Sequence, residues 1–198
     1  MSRKKKARRL QRPQQAEPRR VWFYTNIILA LALIIAGVAM LLWMGQQSTS
    51  NTAQASDPAA GQRGNQAPAF TLQSLEGEPV SLDKYAGQVV LVNMWATWCP
   101  PCKAEMPDLN AFYEAHKDEG VVVLAVNSQE EAATVRAFIE TNGFTFPILL
   151  DSHAEVMSQY HVRGLPTTFI IDRDGFIQHI QSGQITGQEL EALVESLL

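Results

Sequence analysis

Only two cysteines occur in the 198 residues, and they stand two apart in Trp95-Ala96-Thr97-Trp98-Cys99-Pro100-Pro101-Cys102. What flanks them constrains the fold more than any other stretch. Val89-Val90-Leu91-Val92-Asn93-Met94-Trp95 leads in without polar alternation, the pattern of a central strand buried on both faces. A helical pattern leads out from Lys103 to about Glu119, with Leu109, Phe112 and Tyr113 at helical spacing. The chain therefore passes from a core strand into a helix across the cysteine pair. There the unpaired backbone N–H groups and the helix dipole favour a thiolate on Cys99. Cys102, one turn on, is placed to attack a mixed disulfide. The prolines between them suit a helix start, where an N–H would lack an intrahelical partner. The spacing points to thiol–disulfide exchange, with Cys99 attacking and Cys102 resolving from a buried position. A structural disulfide is the bland alternative, but closing so small a loop removes little chain entropy.

Charge divides the chain. Residues 1–20 hold nine Lys or Arg against the single acid Glu17, and the remainder holds seven bases against nineteen acids. The body is acidic, which gives no footprint for nucleic acid. From 27 to 44 run eighteen residues without a charge, close to the ~20 that a membrane helix needs. Trp22, Phe23 and Tyr24 stand at one end and Trp43 at the other, where an aromatic belt sits. The expected organisation is a basic cytoplasmic arm (1–20), a transmembrane signal-anchor helix (21–44), a flexible linker (45–67) and a globular domain (68–198). The positive-inside rule puts the N-terminus in the cytoplasm and the domain outside the plasma (inner) membrane. A cleaved signal peptide is the competing reading. Ala53-Gln54-Ala55 has the small-x-small form, but it lies some nine residues beyond an apolar run that is long for a signal peptide.

The remaining pattern gives an α/β order. A hairpin is expected from Phe70-Thr71-Leu72 and Val80-Ser81-Leu82, followed by a helical turn at Asp83-Lys84-Tyr85-Ala86-Gly87. Strands follow at 89–95, 121–126 and 146–150, with helices between them. Pro107 is expected to interrupt and kink the first helix, and Ser128-Gln129-Glu130-Glu131 to form a capping box for the second. A short helix at 152–160 precedes strands at 167–171 and 176–180, joined by Asp172-Arg173-Asp174-Gly175. Thr186-Gly187-Gln188-Glu189 caps a last helix.

In Asn93-Met94-Trp95-Ala96-Thr97-Trp98-Cys99-Pro100-Pro101-Cys102, in Lys103-Ala104-Glu105-Met106-Pro107 and in Gly164-Leu165-Pro166-Thr167-Thr168-Phe169, the sequence resembles the thioredoxin-like proteins of the membrane-anchored TlpA/ResA type. The resemblance covers roughly 68–198. It implies a thioredoxin-like three-layer sandwich: a mixed sheet of about five to seven strands, with an N-terminal β-hairpin and an inserted β/α unit. It implies a cis Leu165–Pro166 bond against the cysteines, with the Leu165 backbone offered to an extended substrate. Glu105 matches an acid of the family; a carboxylate there would take the proton of Cys102 and oppose thiolate formation by like charge. Trp98 reads as a substrate platform and Trp95 as packing. Asn93, in a buried strand, needs a partner and is placed either to orient the site or merely to satisfy the core. By resemblance the protein reduces specific disulfides, those of apocytochrome c among them, with electrons from a membrane thiol protein.

No cofactor and no metal is called for. The alternative of a copper-binding chaperone needs a histidine, His153 or His161, beside the cysteines, and such proteins have three residues between the two thiols where this chain has two. His116 and His179 are scattered and carry no expected role. A peroxidase lacks its Pro-x-x-x-Thr-x-x-Cys setting.

Overall fold

The structure is a computed structural model that describes residues 61–198 together with Leu33, Ile34 and Met40. The chain divides into two units, Met1–Ala55 and Ser56–Leu198. In the first, Leu33, Ile34 and Met40 are helical and exposed. The basic arm, the rest of the expected span and the linker as far as residue 60 lie outside the described residues. Among the described residues no helix is long and apolar enough to cross a membrane.

In the second unit seven strands form one mixed sheet in the order β2-β1-β5-β4-β3-β6-β7. They are β1 (Thr71–Ser74), β2 (Pro79–Ser81), β3 (Val89–Trp95), β4 (Val121–Ser128), β5 (Ile148–Asp151), β6 (Thr167–Ile171) and β7 (Ile177–Ser182). The helices are α1 (Pro100–His116), α2 (Ala132–Asn142), α3 (Glu155–Gln159) and α4 (Gly187–Val194). β3 lies at the centre, parallel to β4 and antiparallel to β6. The hairpin β1-β2 joins through β5.

Every residue of β3 and β4 is buried, as the unbroken apolar runs require. Because side chains alternate along a strand, the two strands feed two separate cores. Val89, Leu91 and Trp95 join Val121, Val123 and Ala125 beneath Met106, Leu109 and Phe112 of α1, with Val135 and Ile139 of α2 and Leu190 and Val194 of α4. Val90, Val92 and Met94 join Val122, Leu124 and Val126 on the other face. That face is covered more thinly, by Val156 of the five-residue α3, Tyr160, Phe70 and Leu82. Each fully buried Leu, Val or Phe contributes roughly 1.5–3 kcal/mol.

Three local expectations change. α1 runs unbroken through Pro107. The missing N–H orphans only the carbonyl of Lys103, an exposed residue whose carbonyl needs no protein partner. No capping box forms at α2: Ser128 ends β4, Gln129 takes the left-handed conformation (φ 57°), and the N-cap is Glu131 with no side-chain bond. The end of the expected linker belongs to the fold. Gly64 N–H donates to Ile177 O (2.7 Å), Ile177 N–H to Asn65 O (2.9 Å) and Ala67 N–H to Gly175 O (2.9 Å). Gly61 (φ +70°) approaches the Tyr160 backbone so closely that a Cβ would lie 2.8 Å from it. The capping box at α4 is present, with Thr186 and Glu189 bonded reciprocally.

Candidate active site

Where β3 ends, Ala96–Thr97–Trp98 turns the chain into α1, and Cys99 N–H donates to Ala96 O across that turn (3.2 Å). Cys99 is the N-cap of α1, and its Sγ accepts the Cys102 N–H at 3.3 Å, with Pro100 and Pro101 opening the helix. No acid stands in the first turn to oppose a thiolate there. The two sulfurs form a disulfide, with Cα atoms 5.3 Å apart. Cys102 is wholly buried, as expected, and Cys99 is nearly so. Trp98 beside it is 67 % exposed, which sets it apart in a domain whose other large apolar side chains are mostly covered.

The register brings the second sequence motif to the same place. Met94 pairs with Thr167, so Pro166 stands level with Trp95, at the end of the sheet from which the cysteine loop leaves. The Leu165–Pro166 bond is cis. Leu165 packs against the core cluster that contains Cys99 and Cys102. Pro166 and Leu165 also line a groove of about 700 Å³, with Tyr160, Arg163, Thr167 and Ser182 among its walls.

Glu105 projects from α1 into the interior and is fully buried. Its Oε1 accepts Asn93 Nδ2 of β3 at 2.7 Å, and its Oε2 accepts the Ile185 N–H, ahead of α4, at 3.0 Å. Burial pushes its carboxyl up to about 7, and the Ile185 N–H and the Asn93 amide pull it back. Asn93 Nδ2 also donates to Thr168 Oγ1 (2.9 Å), so one amide ties β3, β6 and α1 together. Trp95 is buried against Phe138.

One residue of this neighbourhood escaped the sequence reading. Glu130, read as part of a cap, turns its carboxylate onto Thr97 and Asn127 instead. The available signal was its place just past the end of β4, the strand parallel to β3. The histidines do not join the pair: among the described residues no group of three or more His, Cys, Asp or Glu could hold a metal ion.

A Cys-x-x-Cys disulfide at a helix N-cap, with a cis-proline loop at the same end of the sheet and a buried acid one helical turn on, defines a class: thioredoxin-like thiol–disulfide oxidoreductases. The sequence matches the AhpC/TSA family over residues 63–180, and the chain belongs to that family. It is 42 % identical over 134 residues to the thiol-disulfide oxidoreductase ResA of Geobacillus kaustophilus (strain HTA426), covering 68 % of this chain and 77 % of the relative. It is 37 % identical over 174 residues to the sporulation thiol-disulfide oxidoreductase A of Bacillus subtilis (strain 168), covering 86 % and 98 %. Among solved structures, a putative thiol:disulfide interchange protein DsbE from Chlorobium tepidum superposes with a TM-score of 0.65 at 30 % identity, over 69 % of this chain and 97 % of that one. The protein is a thiol–disulfide oxidoreductase of the ResA type, acting on protein disulfides through Cys99 and Cys102.

Proposed function

We propose that the protein is an extracytoplasmic reductase tethered to the plasma membrane, with residues 1–20 in the cytoplasm, 21–44 as the anchor and the linker holding the redox domain near the bilayer. The observation that carries the chemistry is Cys99 at the N-cap of α1, its sulfur already accepting the Cys102 N–H. In the reduced protein the Cys99 thiolate attacks one sulfur of a substrate disulfide. A Cys99–substrate bond forms, the substrate S–S bond breaks, and the other substrate sulfur leaves as thiolate. Cys102 then loses its proton, with Glu105 as acceptor, and attacks Cys99 Sγ. The mixed disulfide breaks, the second substrate thiolate departs, and the Cys99–Cys102 disulfide remains. Two electrons have passed to the substrate, and a membrane thiol protein must return them.

A carboxyl lying near pH 7 suits Glu105 to this exchange, since it both takes and releases a proton at neutral pH. Trp98 and the Leu165 backbone are the proposed substrate contacts, and Pro166 keeps that edge beside the sulfurs. Apocytochrome c is the substrate that the TlpA/ResA resemblance favours.

The test is covalent capture. Cys102→Ser leaves Cys99 unable to release its partner, so mixed disulfides with extracytoplasmic cysteine proteins should accumulate and dissolve under dithiothreitol. A reduction potential near −120 mV, that of a strong oxidant, would contradict the reducing direction.

A further inference from the structure

We propose that Glu130 is a positioning residue of the exchange reaction: it clamps the 96–98 loop so that Trp98 is presented to the substrate beside Cys99. The loop joins the end of β3 to the first turn of α1 and carries the exposed Trp98. On one side it is closed by its own turn bond, Cys99 N–H to Ala96 O. On the other it is held by Glu130 in a two-pronged grip. Oε2 accepts the Thr97 N–H at 2.7 Å, and Oε1 accepts Thr97 Oγ1–H at 2.5 Å.

The grip has a rigid base. Asn127 Nδ2 donates to Oε2 at 2.8 Å, and Asn127 is a fully buried residue of β4 paired with Trp95 of β3. After the left-handed Gln129, Glu130 stands between the end of β4 and the 96–98 loop that follows the neighbouring β3, bonded to both. The carboxylate thus links the sheet to the residue immediately before Trp98. Without it, Thr97 keeps neither side-chain partner, and an exposed tryptophan on a free loop must be ordered at each encounter. That ordering cost falls on the encounter with a polypeptide. A small disulfide, which needs only the sulfur, avoids it.

The proposal rests on the reading of Trp98 as a substrate contact, and the experiment separates the two. Full-length protein carrying Cys102→Ser is reduced, and attack by Cys99 is followed by release of thionitrobenzoate from two probes. One is a ten-residue cysteine peptide activated as its thionitrobenzoate mixed disulfide; the other is dithiobis(nitrobenzoate). The leaving group is the same, so only the peptide differs. In each reaction Cys99 sulfur bonds to the attacked sulfur and thionitrobenzoate leaves with the electron pair.

Glu130→Ala should slow attack on the peptide about tenfold and on the small disulfide less than about twofold, the former equal to about 1.4 kcal/mol. Glu130→Gln should restore most of the peptide rate, because an amide can accept the Thr97 N–H and donate to Oγ1. Trp98→Ala should show the same peptide-selective loss, and adding Glu130→Ala to it should cost little more. A peptide-selective loss in Glu130→Ala with none in Trp98→Ala removes Trp98 as the contact and leaves Glu130 as the positioning group of the loop. Equal slowing of both probes, or no slowing, overturns the proposal. So does a Gln variant as slow as the Ala variant, which would make charge rather than position the agent.

Discussion

Glu105 lies within α1 and Glu130 two residues past the end of β4, and the chain treats the two carboxylates differently. Glu105 sits inside the protein, facing a side-chain amide and a single backbone N–H, and burial raises it to about 7. Glu130 is half-buried at the rim and is filled by three donors, two of them from Thr97. The difference teaches that two acids near one redox pair can be held in place for different ends. Few donors and full burial make a group that exchanges a proton near neutral pH. A full set of donors on a rigid base makes a fastener.

The largest effect belongs to the cysteines, and it tests whether the comparison concerns the reaction at all. Cys99→Ser should reduce disulfide exchange to background, while Cys102→Ser keeps the first attack and loses release. Thionitrobenzoate release measures the first, and trapped mixed disulfide on a non-reducing gel measures the second. If Cys99→Ser retained turnover, neither carboxylate would be serving a Cys99 nucleophile.

Next comes the pH dependence of stability. A carboxyl raised in the fold binds its proton more tightly folded than unfolded, so folding is favoured at acid pH and loses that advantage as pH rises. The contribution is complete below the ordinary value of 4.5 and lost as pH passes about 7. At 1.36 kcal/mol per pKa unit, wild type should lose about 2–3 kcal/mol between pH 5 and pH 8 from this group. Glu105→Gln should remove that slope, at the expense of one hydrogen bond, since Asn93 and Ile185 donate to different oxygens and the amide puts a donor in the place of one of them. Urea unfolding across this range is the measurement. An unchanged slope would mean that Glu105 is not held near 7. Alkylation of the thiols against pH adds the functional half: the Cys99 profile of Glu105→Gln should shift to lower pH.

Much of this site was legible because its chemistry is written contiguously. Cys99, Cys102 and Glu105 lie on one helix, and the long apolar runs of β3 and β4 announce the central strands. Pro166 was legible only through the family motif, since nothing local says that residues 164–168 return to the end of β3; the β3–β6 register does that. Glu130 was misread for a physical reason. Ser128-Gln129-Glu130-Glu131 fits a helix cap by composition, but β4 continues through Ser128 and Gln129 adopts positive φ. Partners drawn from across the sheet overrode a local preference. The buried pairing of Asn93 with both Glu105 and Thr168 likewise needs residues 12 and 75 positions away.

Removing the amide beneath each acid sharpens the contrast. Asn93→Ala takes a charge-assisted bond from a fully buried carboxyl and strands Thr168, so it should cost about 2–3 kcal/mol and move the Glu105 transition above 7. Asn127→Ala removes one of three donors from a rim carboxylate and should cost about 1 kcal/mol, without moving that transition. Denaturant midpoints at pH 5 and pH 8 give both quantities. Equal costs and equal pH shifts would erase the distinction between the two sites.

The smallest effect comes from a histidine that titrates alongside Glu105. His116, at the end of α1, is raised above its ordinary value by its bond to Glu119 (2.8 Å), opposed by burial and helped by Glu191 of α4 (3.1 Å). A raised histidine stabilises the fold fully below its unfolded pKa of about 6.5, and that support is lost as pH rises through the folded value. The sign is that of Glu105 and the two windows meet near 7, so wild-type unfolding alone does not divide the slope there between them. Magnitude and mutation separate them. An ion pair at the surface is worth about 0.2–1 kcal/mol and is screened by salt, whereas the buried carboxyl is not. Glu191→Gln should therefore lower stability at pH 5.5 by a few tenths of a kcal/mol, a loss that should shrink as pH rises through the folded value. The difference should shrink at high ionic strength. Glu105→Gln should flatten most of the remaining slope at either ionic strength. Were Glu191→Gln to remove more of the acid-side stability than Glu105→Gln, the helix-end histidine would own the transition near 7, and Glu105 would be a structural acid like its neighbour at the rim.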